Sequence, residues 1–272
     1  MTGTLALAAA ISFAPTKDDG TRFLLTEQQL SLPAQHANHE AKFGDQIDGY
    51  NRFILRAVDR VQSKQMDGGG YFIGVKADPP ESPIGFQIDL WGKPLLSPPR
   101  TTSYCSGASY SAFITAINLI SPENPGMAPE RLEAMRMQEP DGSRREDKVK
   151  FWGWWNADGP GCEYALVQYA KMGRRISPEQ ARPGDFMNIS WKTGIGHSVV
   201  FLGWGNADGK QKLRFWSSQK GTNGLGDLTV DVDSIKSIVA VRLTKPWNVA
   251  GFDPATPVEP AVPGSDPAWI QP

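Results

Sequence analysis

Between Phe186 and Gln219 the chain carries three runs that suit a β-sheet and little else. Phe186–Trp191, Ser198–Trp204 and Lys212–Gln219 are rich in β-branched and aromatic residues, and glycine-containing loops part them. The first run is launched by Pro183-Gly184-Asp185, a turn in which proline and glycine supply the required backbone angles. Further strands are expected at Leu228–Val232 and Ser237–Leu243, and at Tyr71–Val75 and Phe86–Trp91 on either side of a proline-rich loop.

Helical periodicity appears upstream. From Glu40 to Lys64 apolar residues recur at Phe43, Ile47, Tyr50, Ile54, Val58 and Val61, with arginines on the other face. A second helix is expected from about Tyr104 to Ile120, with Thr101, Thr102 and Ser103 as candidate N-caps and Phe113, Ile114, Ile117 and Ile120 as its apolar body. Cys105 falls in its first turn. The helix dipole and unpaired backbone N–H groups there favour a thiolate, so a depressed thiol pKa is expected, and the same amides suit an oxyanion. Gly107 lets a second element pack close to the thiol. The competing reading is a small cysteine buried in a core helix.

The chain has three histidines. His197 opens the second run and is the one expected on a core element. A nucleophile on a helix, a base on a strand and a polar orienter on the next strand make an activated-thiol arrangement. Gln219 is the preferred orienter, because its amide oxygen accepts an imidazole N–H; Ser217 and Asn223 remain open. Tyr104 and Ser106 adjoin the expected oxyanion position. His36 and His39 stand three apart, but no nearby carboxylate or cysteine cluster completes a ligand set, so a solvated pair is expected and no metal or organic cofactor. The run Asp67-Gly68-Gly69-Gly70 lacks the Lys-Ser/Thr of a phosphate loop and reads as a turn.

Cys105-Ser106-Gly107 at a helix start resembles the nucleophile motif of the NlpC/P60 peptidases. Pro183-Gly184-Asp185 followed by His197 and Val199-Val200-Phe201-Leu202-Gly203 is similar to that family's second signature, and the CHAP amidases share its logic. The resemblance spans roughly Thr101 to Gln219. It implies a papain-like α+β fold, with the nucleophile helix packed on an antiparallel sheet. The activity implied is cleavage of amide bonds, usually in bacterial cell-wall peptides. The chain departs from the pattern in Tyr104, where Asp is common, in Ser198, where a small apolar residue is usual, and in an insertion of about forty residues. An acyltransferase or transglutaminase-like enzyme would use the same dyad, and a non-catalytic wall-binding module would not use it at all.

These readings divide the chain into a possible signal peptide (1–14), an N-terminal extension with an amphipathic helix (15–66), a catalytic domain (67–245) with an aromatic insertion at about 121–160, and a proline-rich tail (246–272). Leu5 to Ala14 has the apolar run and small residues of a signal peptide but no preceding basic residue; export to the periplasm or outside is the expectation, with a buried first strand or a frayed terminus as the alternative. In the insertion, Trp152, Trp154 and Trp155 beside Asn156 read either as a substrate-groove wall or as a packed lid or core. Cys162 reads as a small buried residue, a Cys105–Cys162 disulfide being the alternative. The formal net charge of −1 speaks against binding nucleic acid through bulk charge, and no run is apolar enough to span a membrane. The partner expected is peptidoglycan or a peptide.

Overall fold

The computed structural model describes residues 16–18, 22–73, 83–98, 100–136, 152, 164–194, 196–253 and 255–256. The architecture is mixed α and antiparallel β. In chain order it runs β1 (Thr16–Asp18), β2 (Arg22–Leu24), α1 (Glu27–Leu30), α2 (His39–Phe43), α3 (Asn51–Gln62), β3 (Ile88–Leu90), β4 (Lys93–Leu96), α4 (Cys105–Ile120) and α5 (Pro129–Ala134). Then follow β5 (Gly173–Ile176), β6 (Phe186–Trp191), β7 (Gly196–Ala207), β8 (Lys210–Gln219), β9 (Gly224–Asp231) and β10 (Ile235–Leu243).

The long hairpin of β7 and β8 is the spine of an eight-stranded sheet. β6, β10 and β5 extend the sheet on one side and β9 on the other, all antiparallel. The segment expected to be an extension also joins it: Leu24 of β2 pairs in parallel with Trp204 of β7. β3 and β4 form a separate hairpin. Among the described residues no helix is long and apolar enough to cross a membrane.

α4 is buried nearly all round, as its apolar sequence requires, and packs against α3, β7 and β8. At Gly107 a Cβ would collide with the Pro83 carbonyl, so a side chain there would push the incoming loop away. The periodic stretch from Glu40 to Lys64 is not one helix. It breaks between α2 and α3, where Gly49 takes a φ of +70°. α3 then buries Ile54, Leu55, Ala57, Val58 and Val61. Each fully buried aliphatic side chain of this size contributes about 1.5–3 kcal/mol. Of the strand expected at Tyr71–Val75, the described residues 71–73 make only an isolated bridge from Tyr71 to Ser103, and 74–75 lie outside the described residues.

The Pro183-Gly184-Asp185 turn is held by its aspartate. Buried Asp185 accepts from Asn51 Nδ2 (2.8 Å), from Arg242 Nε (2.8 Å) and Nη2 (2.6 Å), and from the Arg182 amide (2.7 Å). This ties α3, β10 and the start of β6 together.

Candidate thiol site

α4 begins without a side-chain cap. Tyr104 is the N-cap residue, extended and making no side-chain capping hydrogen bond, while Ser103 Oγ, expected as a cap, lies 2.8 Å from Ser218 Oγ on β8. The backbone amides of Ser198, Ser106 and Cys105 each favour a charged sulfur at Cys105. Cys105 carries a free thiol. Burial nevertheless pushes that thiol up, and the three amides only partly offset it. The depressed pKa expected from the helix start is overturned, because desolvation of the sulfur outweighs the amides that face it.

His197 stands one residue before Ser198. Burial lowers its imidazole to about 4, against the opposing hydrogen bond to Gln219. Its Nε2 lies 3.3 Å from Gln219 Oε1. The β7–β8 register pairs Val200 with Trp216, and carried three residues further it sets Gln219 opposite His197. The Gln219 amide nitrogen donates to Thr222 Oγ1 (2.5 Å) and to the Gly226 carbonyl (3.1 Å), which leaves Oε1 as the end that meets the imidazole. The histidine thus presents Nε2–H to Gln219 and keeps Nδ1 as its basic nitrogen.

Thiol and imidazole do not yet meet. Directly opposed residues of an antiparallel pair share a face. Val200 opposes Phe186, whose ring packs edge-on against Phe113 of α4, and Ser198 Oγ lies 2.7 Å from Ser109 Oγ on the same helix. Ser198 and Val200 therefore face α4. His197 opposes Ile189 and contacts Phe215 edge-on, on the other face. Among the described residues no hydrogen bond joins Cys105 to His197. Both flank the end of the β7–β8 ladder, beyond which Ser217 Oγ donates to the Ser198 carbonyl (2.7 Å).

The remaining candidates separate clearly. Ser217 is engaged with Ser198, and Asn223, at a φ of 49°, closes the β8–β9 turn and accepts from Gly70 N–H (2.9 Å); neither reaches His197. Tyr104 donates its N–H to the Pro83 carbonyl (3.1 Å), so that amide is not open to an oxyanion, whereas the Ser106 amide is at the sulfur. Trp152 is no groove wall: it is fully buried against Tyr110, Phe113 and Phe186. Trp154, Trp155, Asn156, Cys162 and the Leu5–Ala14 segment lie outside the described residues.

Tyr71 was missed by sequence reading. A Cys105 thiolate would act electrostatically on its phenol, and burial first, then that charge, raises it to about 12. Its place depends on the Gly68–Gly70 run, which lies along the Asn223–Leu225 turn through Leu225 N–H to Gly68 O (2.8 Å) and Gly70 N–H to Asn223 O.

The His36–His39 pair is not a solvated one. His39 is wholly buried, with Nδ1 2.7 Å from Asp59 and Nε2 2.8 Å from Asp227, while His36 Nε2 lies 3.0 Å from the other Asp227 oxygen. Burial alone would lower the His39 imidazole, but the two carboxylates raise it to about 9; Asp227 is held far below the usual carboxylate range by His39, His36 and Arg214 despite its burial. The missing carboxylate comes from 188 residues downstream. His36, His39 and Asp227 have the chemistry of a metal-ligand set. However, Arg214 also forks onto Asp227 (2.8 and 3.1 Å), so a cation already neutralises the carboxylate a metal would need.

Comparison of the chain with protein-family models, with curated proteins and with solved structures gives no match.

Proposed function

We propose that the chain is a cysteine-dependent amide hydrolase, papain-like in fold and resembling the NlpC/P60 enzymes, and that its substrate is the peptide of bacterial peptidoglycan outside the cytoplasm. The observation that carries the reading is the position of Cys105. It sits at an uncapped helix start where the amides of Ser198, Ser106 and Cys105 favour its thiolate, near the end of the strand that carries an imidazole oriented by Gln219.

In this reading the described arrangement is a resting state with both groups neutral. Because His197 and α4 lie on opposite faces of β7, the dyad forms only when the start of β7 turns to carry Nδ1 round the strand end to the thiol, a larger change than the tightening of an apo hydrogen bond. The imidazole takes the thiol proton as sulfur attacks the amide carbonyl, and the amides of Cys105 and Ser106 face the developing oxyanion. The C–N bond then breaks, and the imidazolium returns its proton to the departing amine. Water, deprotonated by His197, hydrolyses the thioester and frees Cys105. With Trp152 in the core, the proposed groove wall is left to Trp154, Trp155 and Asn156.

The test is digestion of purified peptidoglycan by the protein and its Cys105→Ala variant, read by mass spectrometry. Amide-cleavage fragments made only by the unmutated protein would establish the reading, and their masses would identify the bond. An inert thiol and no fragments would remove it.

A further inference from the structure

The loop between α1 and α2 runs directly over the turn that orients Gln219. Gln35 Nε2 donates to the Thr222 carbonyl (2.8 Å) and lies 3.4 Å from the Leu225 carbonyl. Next to it, the Ala34 carbonyl accepts from the Asp227 amide (2.7 Å). A Cβ on Gly226 would sit 3.0 Å from Ala34 O and 3.1 Å from Gln35 Nε2, so the loop is packed against the turn without a gap. Thr222 and Gly226 are the two groups that accept from the Gln219 amide.

We propose that Gln35 is a positioning residue of the thiol site, acting through Thr222 and Gln219 to hold the tautomer and orientation of His197. This rests on the proposed role of His197 as base. The physical reason is directional. An amide side chain can be turned end for end, and only the donors and acceptors around it decide which end faces the imidazole. Thr222 Oγ1 accepts from Gln219 Nε2 because its own hydrogen is directed to the Gly224 carbonyl (2.6 Å). Gln35 keeps the Thr222 backbone where that chain of donors closes. Outer groups that orient a first imidazole partner act on reaction rate through placement, and a misplacement of roughly 1 Å costs up to about a hundredfold.

Two readouts that need no natural substrate test this on the full chain. The first is the His197 tautomer, read by long-range ¹H–¹⁵N NMR. The second is the acylation burst of Cys105 with p-nitrophenyl acetate. The unmutated protein and a Ser31→Ala control, altered at an exposed position of the same segment, should show the Nε2–H tautomer. In Gln35→Leu the tautomers should mix and the burst slow by about fivefold or more. In a Gln219→Ala background the same substitution should add nothing, because its route is gone. Thr222→Val should reproduce the loss and Thr222→Ser should restore the parent behaviour, which keeps the test valid if Gln35→Leu folds poorly. An unchanged tautomer in Gln35→Leu, or a loss that adds fully to that of Gln219→Ala, would overturn the proposal. An inert thiol in every variant would count against the hydrolase reading alone, since the tautomer readout would still decide the role of Gln35.

Discussion

Gln219 approaches His197 with its oxygen, at 3.3 Å, because its nitrogen is bound to Thr222 and Gly226. Replacing that amide by a carboxylate is the most direct probe of the contact. Gln219→Glu sets a carboxylate against a desolvated imidazole and stabilises its protonated form. The His197 titration, followed by NMR, should move upward from about 4 by one unit or more. A midpoint that stays put would mean that the two side chains do not meet in solution.

The thiol should titrate late. Burial raises Cys105 above an ordinary cysteine despite its place at a helix start. The rate of alkylation by iodoacetamide should still be climbing above about pH 8.5, the value of a free thiol. A midpoint below pH 7 would show that a thiolate–imidazolium pair already exists at rest.

The buried cluster around Asp227 should govern stability against pH. His39 is raised in the folded state, so its contribution is complete below its unfolded value of about 6.5 and is lost as pH rises to about 9. Asp227 is depressed, so its contribution is present above its unfolded value of about 3.9 and is lost as pH falls below it. Urea midpoints should fall between pH 6.5 and 9 in the parent protein, and His39→Gln should flatten that fall. Asp227→Asn leaves Arg214 buried without its carboxylate and should cost about 3–5 kcal/mol.

Trp152→Ala should behave as a core deletion. The ring is fully buried among Tyr110, Phe113 and Phe186, so the expected loss is about 3–5 kcal/mol in chemical denaturation. A variant as stable as its parent, but weakened in binding substrate, would return the residue to the groove.

Gly107→Ala tests the packing at the thiol. Its methyl group would collide with the Pro83 carbonyl, whose oxygen also accepts the Tyr104 amide. Overpacking of this kind costs about 1–3 kcal/mol, and more here because backbone must move. Circular dichroism melts of the two proteins would measure it; equal melting temperatures would show that the loop yields freely.

The amino-acid sequence by itself determined the local elements. The apolar run after Cys105 made α4, the β-branched and aromatic runs made β6, β7 and β8, and their spacing brought Cys105, His197 and Gln219 to one end of the sheet. These follow from side-chain period and backbone preference, which act over a few residues. Only the tertiary structure decided what those residues face. Whether His197 or Ser198 looks toward α4 depends on the parity of a strand register, and a shift of one residue would exchange them. The raised Cys105 thiol, the buried Trp152 and the ion-paired His39 depend on partners far along the chain, Asp227 lying 188 residues from His39. Desolvation and long-range pairing have no local period, so no pattern near His39 or Cys105 announces them.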